Sequence, residues 1–140
     1  APKSPRLPYC PAAMLLASEE WAKARWLPIL AYLTYGQVSA NDFAHGEGLL
    51  MAPTIAVSQM LQRAGLTLQD FDLYEIHEAF AAQVLCTLKA WEYPDYCKTV
   101  LGRAAPIGSI DLSRTNPKRS SLAYGHPFIA TDARTPAPSS

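Results

Sequence analysis

The sequence has no excess charge of either sign and no long hydrophobic run. Its 140 residues carry twelve basic and twelve acidic side chains, so the formal net charge is zero at pH 7. A balanced chain has no overall field that would attract nucleic acid or an anionic membrane surface. No apolar stretch reaches the roughly 20 residues that a membrane-spanning helix needs. Polyanion binding and membrane insertion are therefore disfavoured as main roles.

Cysteine is scarce, with Cys10, Cys86 and Cys97 as its three occurrences. An odd set without C-x-x-C spacing indicates neither a disulfide framework nor a zinc knuckle. The histidines do not have the pair spacing of metal ligands either, so we expect no metal site. Reduced thiols are the simplest interpretation, and they favour a soluble protein of the cytoplasm or the mitochondrial matrix.

Hydrophobic residues make up 49% of the chain, which suits one globular domain or a piece of a larger one. Strand patterns occupy residues 12–17, 29–38 and 71–76, where apolar, β-branched or alternating residues predominate. Helix patterns follow each of them, beginning near Ser18, Pro53 and Ala79. This alternation predicts an α/β layered fold, with a mixed sheet flanked by the helices that start near Pro53 and Ala79.

The remaining third of the chain has a weaker pattern. Residues 92–119 mix tyrosine, proline, glycine and charge, and we predict irregular structure there. The turn residues Gly125 and Pro127 predict a further helix that begins near Phe128.

The first candidate site is the sequence His77-Glu78-Ala79-Phe80, at the predicted passage from a strand into a helix. Catalytic and ligand-binding groups favour this edge of α/β sheets, and a helix start offers unpaired amides to an anion. The structural alternative is that His77 caps the helix or fills the edge of the core, while Glu78 only complements the helix dipole.

The second candidate site is His126, between Gly125 and Pro127. Glycine and proline fix the backbone on both sides of the imidazole, which suits proton transfer or the polarisation of a carbonyl. A purely structural turn has the same pattern, so both interpretations stand at this point.

None of the cysteines is predicted to be a nucleophile. Cys86 lies among apolar residues of a predicted helix, where we expect a buried and inert thiol. Cys97 lies in the predicted polar loop and Cys10 in a proline-rich start, so a hydrolase of the Cys/His type has no motif behind it. His45 is predicted to be an exposed loop residue.

Three segments, in the same order, resemble the thiolase family. Residues 48–85 contain the H-E-A-F motif, in the form of the trifunctional-enzyme β-subunit branch. Residues 120–134 resemble the G-H-P-x-G-A-T-G motif, and residues 12–25 resemble the strand and helix that link the two thiolase domains. The resemblance implies a partial thiolase-like layered α/β fold, in which residues 1–17 end the N-terminal domain and residues 18–140 form an incomplete C-terminal domain.

The resemblance also implies a Claisen-type acyl transfer on β-ketoacyl-coenzyme A or acetyl-coenzyme A, as in fatty acid β-oxidation. Coenzyme A is then a substrate, and no cofactor is covalently bound. His126 would activate a nucleophilic cysteine and help to bind the thioester oxygen, and His77 would complete an oxyanion site. The implied substrate-binding residues are Glu78, Phe80, Gly125 and Pro127. An acyl-coenzyme A is the implied small-molecule partner, together with a homo-oligomer or the rest of a thiolase.

Several departures from the family pattern favour a second interpretation, in which the chain has no catalytic activity. The two catalytic cysteines of the family belong to segments that this sequence does not match, so we expect the chain alone to be inactive. Residues 9–11 and 116–119 differ from the family turns, and Ile129 and Asp132 stand at positions that are usually glycine. A β-branched residue is strained where glycine adopts positive φ. The alternative is a catalytically inactive thiolase-like fragment with a structural or assembly role.

The two histidines give a geometric prediction. Loops that follow the strands of an α/β layer meet at one edge, so His77 and His126 should face one cleft. A shared oxyanion puts their rings within roughly 10 Å, because each hydrogen bond spans about 3 Å. Two unrelated structural histidines would not converge in this way.

Overall fold

The structure, a computed structural model, describes residues 12–46, 48–117 and 126. The α-helices in this part of the chain are α1 (Glu19–Ala24), α2 (Ala52–Ala64), α3 (Ala81–Glu92) and α4 (Pro94–Thr99). Short 3₁₀ turns cover Leu68–Asp70 and Leu112–Arg114. Each of these helices is too short or too polar to cross a membrane. The predicted helix near Phe128 lies outside the described residues.

Helix α1 begins at the predicted cap. The hydroxyl of Ser18 accepts a hydrogen bond from the backbone N–H of Trp21 at 3.2 Å. Glu19 and Glu20 fill the first turn, where negative charge offsets the helix dipole. The prediction of a helix after Ser18 is confirmed.

Helix α2 confirms the predicted start at Pro53 and the predicted stop. Pro53 occupies the first turn, where its missing N–H costs no hydrogen bond. Gly65 ends the helix in the left-handed conformation, with φ of 67° and ψ of 29°. The N–H of Leu66 then bonds to the carbonyl of Leu61 at 3.0 Å, which satisfies a carbonyl of the last turn.

Helix α3 begins two residues later than the predicted start at Ala79 and packs against α2. Its buried side chains include Val84 and Trp91, seven residues apart and therefore on one helix face. Trp91 meets Leu61 of α2 and Leu68 in the core, and its indole N–H donates to the carbonyl of Thr54 at 3.4 Å. The core thus joins α2, α3 and the turn that follows α2.

Helix α4 lies in the segment for which we predicted irregular structure, so that prediction is wrong for residues 94–99. Pro94 starts the helix, and Asp95 lies in its first turn. The buried thiol of Cys97 donates to the carbonyls of Ala90 and Trp91, at 3.4 and 3.3 Å. Six residues show too little periodicity to be recognised, and contacts with α3 supply the stability that a helix of this length does not have alone.

The predicted strands at residues 12–17, 29–38 and 71–76 form no ladder among the described residues, which corrects those assignments. A strand is defined by a neighbour, and the segment 12–17 has none: its large apolar side chains are exposed. In the third segment, one isolated parallel bridge pairs Tyr74 with Thr115. This bridge brings residues 115 and 116 beside the H-E-A-F sequence.

Candidate functional site

His77 lies in the connection between the Tyr74 bridge and α3. Residues 75–80 have no regular secondary structure, and Phe80 is the residue that precedes the helix. The carbonyl of Phe80 accepts the N–H groups of Gln83 and Val84, at 3.1 and 3.3 Å. The chain therefore passes from a single bridged residue into a helix: the predicted helix is present, whereas the predicted strand before it is reduced to the Tyr74 bridge.

His77 and His126 are in direct ring contact. Their ring centroids are 4.1 Å apart, and the ring planes are tilted by 38°. The predicted convergence of the two histidines within roughly 10 Å is therefore confirmed. His126 is exposed, whereas His77 is half-buried and its Nε2 atom is buried. The pair has one solvent-facing imidazole and one inner imidazole.

Asn116 anchors the segment that carries His77, a role that no pattern in the sequence predicted. Its side-chain oxygen accepts the N–H of Ile76 at 2.8 Å, and its Nδ2 donates to the carbonyl of Ile76 at 2.9 Å. The same Nδ2 donates to the carboxylate of Glu78. Asn116 is buried and has a φ of +50°, a conformation in which asparagine is enriched. The only sequence signal was an asparagine in a turn.

The predicted substrate-binding residues have different surroundings. Glu78 is half-buried and accepts its hydrogen bond from Asn116, whereas Phe80 is exposed. Desolvation by nearby protein atoms raises the pKa of Glu75 above its usual value, although the residue is exposed. Gly125 and Pro127 lie outside the described residues. A substrate role for these four residues stays a prediction.

Cys86 and Cys97 differ in exposure. Cys86 is exposed, so the prediction of a buried thiol is wrong. Two residues along a helix turn the side chain by about 200°, which puts Cys86 opposite the buried Val84. Cys97 is buried in α4 rather than exposed in a polar loop, and Cys10 is outside the described residues.

His45 is exposed as predicted, with its Nδ1 at 3.5 Å from the carboxylate of Asp42. Over the residues that the structure describes, no group of histidine, cysteine and acidic side chains has the arrangement of a metal site.

Comparisons with known proteins agree with the motif order. The family model for "Thiolase, C-terminal domain" matches residues 27–138. The 3-ketoacyl-CoA thiolases of Yersinia pestis (strain Pestoides F) and Yersinia pseudotuberculosis (serotype O:1b, strain IP 31758) are 46% identical to the chain over 123 residues. These matches cover 88% of the chain, which spans 28% of the length of each relative.

A solved structure is also similar, the peroxisomal 3-ketoacyl-CoA thiolase of Saccharomyces cerevisiae. It is 34% identical, with a TM-score of 0.55, and the match covers 82% of this chain and 28% of the yeast chain. The yeast enzyme is described as a five-layered a-b-a-b-a structure of two core domains with identical topology. The predicted fold class, a partial thiolase-like layered α/β fold, agrees with this similarity. The chain belongs to the thiolase family, and residues 27–138 are its C-terminal-domain region.

Proposed function

We propose that this chain supplies the histidine pair of a 3-ketoacyl-CoA thiolase site, with coenzyme A as a substrate. The observation that carries the proposal is the 4.1 Å ring contact between His77 and His126, which come from separate motifs. The names of the Yersinia and yeast relatives support the substrate class, a 3-ketoacyl-coenzyme A.

The proposed reaction is a covalent acyl transfer. A cysteine thiolate from a thiolase segment that this sequence does not match attacks the 3-keto carbon of the substrate. The bond between the α and β carbons then breaks, and its electron pair leaves as the enolate of acetyl-coenzyme A, which takes up a proton. The thiol of coenzyme A releases the acyl group from the cysteine, and the thiol proton returns to the site.

The chain's own residues act on the charge that develops during these steps. His126 is on the solvent side of the pair, where its imidazole can exchange a proton with the cysteine and donate to the thioester oxygen. His77 lies against it and supplies a second donor, directly or through a water. Fixed donors of this kind stabilise an oxyanion because they need no reorganisation as the charge forms.

Exposed apolar side chains support a partner surface in the same assembly. Trp26 and Val38 are more than nine-tenths exposed, and Leu30 and Leu33 are about three-quarters exposed. Large exposed apolar patches mark contact sites with other protein. We propose that residues 12–38 pack against the rest of a thiolase or a second copy of the chain. The division at residue 17 between two thiolase domains is part of the same proposal.

A chimeric enzyme tests the function. The matching 123 residues of the Yersinia pestis thiolase would be replaced by those of this chain. We expect coenzyme A-dependent cleavage of acetoacetyl-coenzyme A, and a loss of at least about 100-fold for His77→Ala and for His126→Ala, as for the removal of an oxyanion donor or general acid–base group. His45→Ala is the matched control, because His45 is an exposed histidine outside the pair.

The outcomes separate the proposal from its alternative. A folded chimera in which neither histidine matters would contradict the proposed site. Activity that appears only after Ile129→Gly and Asp132→Gly would favour the inactive thiolase-like fragment with an assembly role, because those substitutions restore the usual family residues.

A further inference from the structure

Asn116 occupies the position at which the Tyr74–Thr115 bridge would continue as a ladder. The backbone N–H of Asn116 donates to the carbonyl of Tyr74 at 2.8 Å, and the N–H of Tyr74 donates to the carbonyl of Arg114 at 3.0 Å. At the next position of the ladder, Ile76, the bonds come from the side-chain amide of Asn116 and not from a strand backbone. This amide bonds to both the N–H and the C=O of Ile76, the groups that a neighbouring strand would otherwise pair.

The hydrogen-bonding capacity of an amide matches this position closely. Both Nδ2 hydrogens of Asn116 are used, one by the carbonyl of Ile76 and one by the carboxylate of Glu78. Aspartate has the same shape but offers no donor, and glycine keeps the backbone conformation but has no side chain. The φ of +50° disfavours most other residues. The side-chain chemistry, the backbone conformation and the burial of position 116 therefore all favour asparagine.

The three bonds are made to the two neighbours of His77 in the sequence. Ile76 is held on one side by a pair of backbone hydrogen bonds, and Glu78 is held on the other by its side chain. The peptide unit before His77 is thereby bonded through its carbonyl, and the residue after His77 is held through its side chain. The ring of His77 lies 4.1 Å from that of His126.

We propose that Asn116 is a positioning residue that holds the ring of His77 against His126. The proposal rests on the proposed function of the histidine pair and adds a residue that acts through Ile76 and Glu78. Losing the amide donors should release residues 76–78 and separate the rings, with the α2–α3 core unchanged.

The test is the nuclear Overhauser cross-peak between the ring protons of His77 and His126 in the 140-residue chain. We expect a cross-peak in the unaltered chain, because the ring centroids are 4.1 Å apart. Asn116→Asp should abolish it: the carboxylate still accepts from Ile76, but it meets the carboxylate of Glu78 and the carbonyl of Ile76 without a donor. The indole N–H resonance of Trp91, which reports the core, should stay in place.

A double variant that exchanges the donor and the acceptor between positions 116 and 78 should partly restore the cross-peak. In Glu78→Gln alone, the Asn116 amide still has an acceptor, so the cross-peak should remain. In the double variant Asn116→Asp with Glu78→Gln, the new amide can donate to the new carboxylate, and the cross-peak should return in part, because the carbonyl of Ile76 still has no donor. The Trp91 signal separates the two roles: it should stay in place in every variant if Asn116 positions the ring of His77, and it should shift if Asn116 stabilises the fold as a whole.

Four results would overturn the inference or its basis. A cross-peak of full intensity in Asn116→Asp would overturn it, and so would a loss that the double variant does not restore. If Asn116→Asp fails to fold, Asn116→Gly decides: loss of the cross-peak with an intact Trp91 signal supports positioning, and its persistence overturns it. Absence of the cross-peak in the unaltered chain would instead remove the ring contact on which the proposed function stands.

Discussion

At the residue scale, the end of α2 depends on one backbone conformation. Gly65 has a φ of 67°, and a Cβ added there would meet no atom within 4 Å. Gly65→Ala should therefore destabilise the chain by about 1 kcal/mol, through left-handed backbone strain and not through a clash. Urea unfolding measures the difference. Gly36→Ala is the control, because that glycine is also uncrowded but not left-handed, and it should be neutral or slightly stabilising.

The two described cysteines should differ in reactivity. Cys86 is exposed on α3, whereas the thiol of Cys97 is buried and bonded to two carbonyls. In a Cys10→Ser background, iodoacetamide should modify Cys86 in the folded chain and Cys97 only after urea is added. Mass spectrometry of the peptides distinguishes the two thiols. Equal modification rates in the native chain would contradict the burial of Cys97.

At the element scale, the 3₁₀ turn after α2 depends on an ionised carboxylate. Asp70 accepts the backbone N–H of Thr67 at 2.7 Å and its hydroxyl at 2.9 Å, and these bonds hold the pKa of Asp70 below its usual value of 3.8. A lowered pKa in the folded state means that the stabilisation is present above pH 3.8 and is lost as the pH falls through the lower value.

The lowered pKa of Asp70 predicts how the stability of Asp70→Asn depends on pH. The unaltered chain should melt at a higher temperature than the variant at neutral pH, because a charged acceptor forms the stronger hydrogen bond. The difference should shrink as the pH falls below about 4. Thermal melts of both chains across this range measure it. A difference that is constant with pH would show that the charge of Asp70 does not contribute.

The helices also show how far local sequence signals reach. Ser18, Pro53 and Gly65 mark the ends of α1 and α2 through their own backbone and side-chain chemistry, so those boundaries were predictable. Helix α4 depends on contacts with α3, and the Asn116 bonds join positions 40 residues apart in the sequence. Neither feature produces a recognisable pattern in the local sequence. The predicted strands failed for a related reason, because strand identity depends on a partner that the segment itself does not specify.

At the scale of the whole molecule, the isolated 140-residue chain should not carry out thiolysis. The thiolase resemblance assigns the nucleophile and a second cysteine to segments that this sequence does not match, and histidines alone can only polarise a carbonyl. Coenzyme A-dependent cleavage of acetoacetyl-coenzyme A by the purified chain should equal the rate in buffer. A rate well above buffer that disappears in His126→Ala would contradict this expectation.

The long separation between Ile76 and Asn116 also has a consequence for the order of folding. Contacts within α2 and between α3 and α4 close short loops, whereas the Asn116 bonds close a loop of 40 residues. Short loops close at a smaller entropic cost, so local contacts form early and long-range ones late. In pulsed hydrogen exchange during refolding, the amides of α3 should gain protection before the amide of Ile76. The histidine pair would then acquire its geometry last, on a helical scaffold that is already in place.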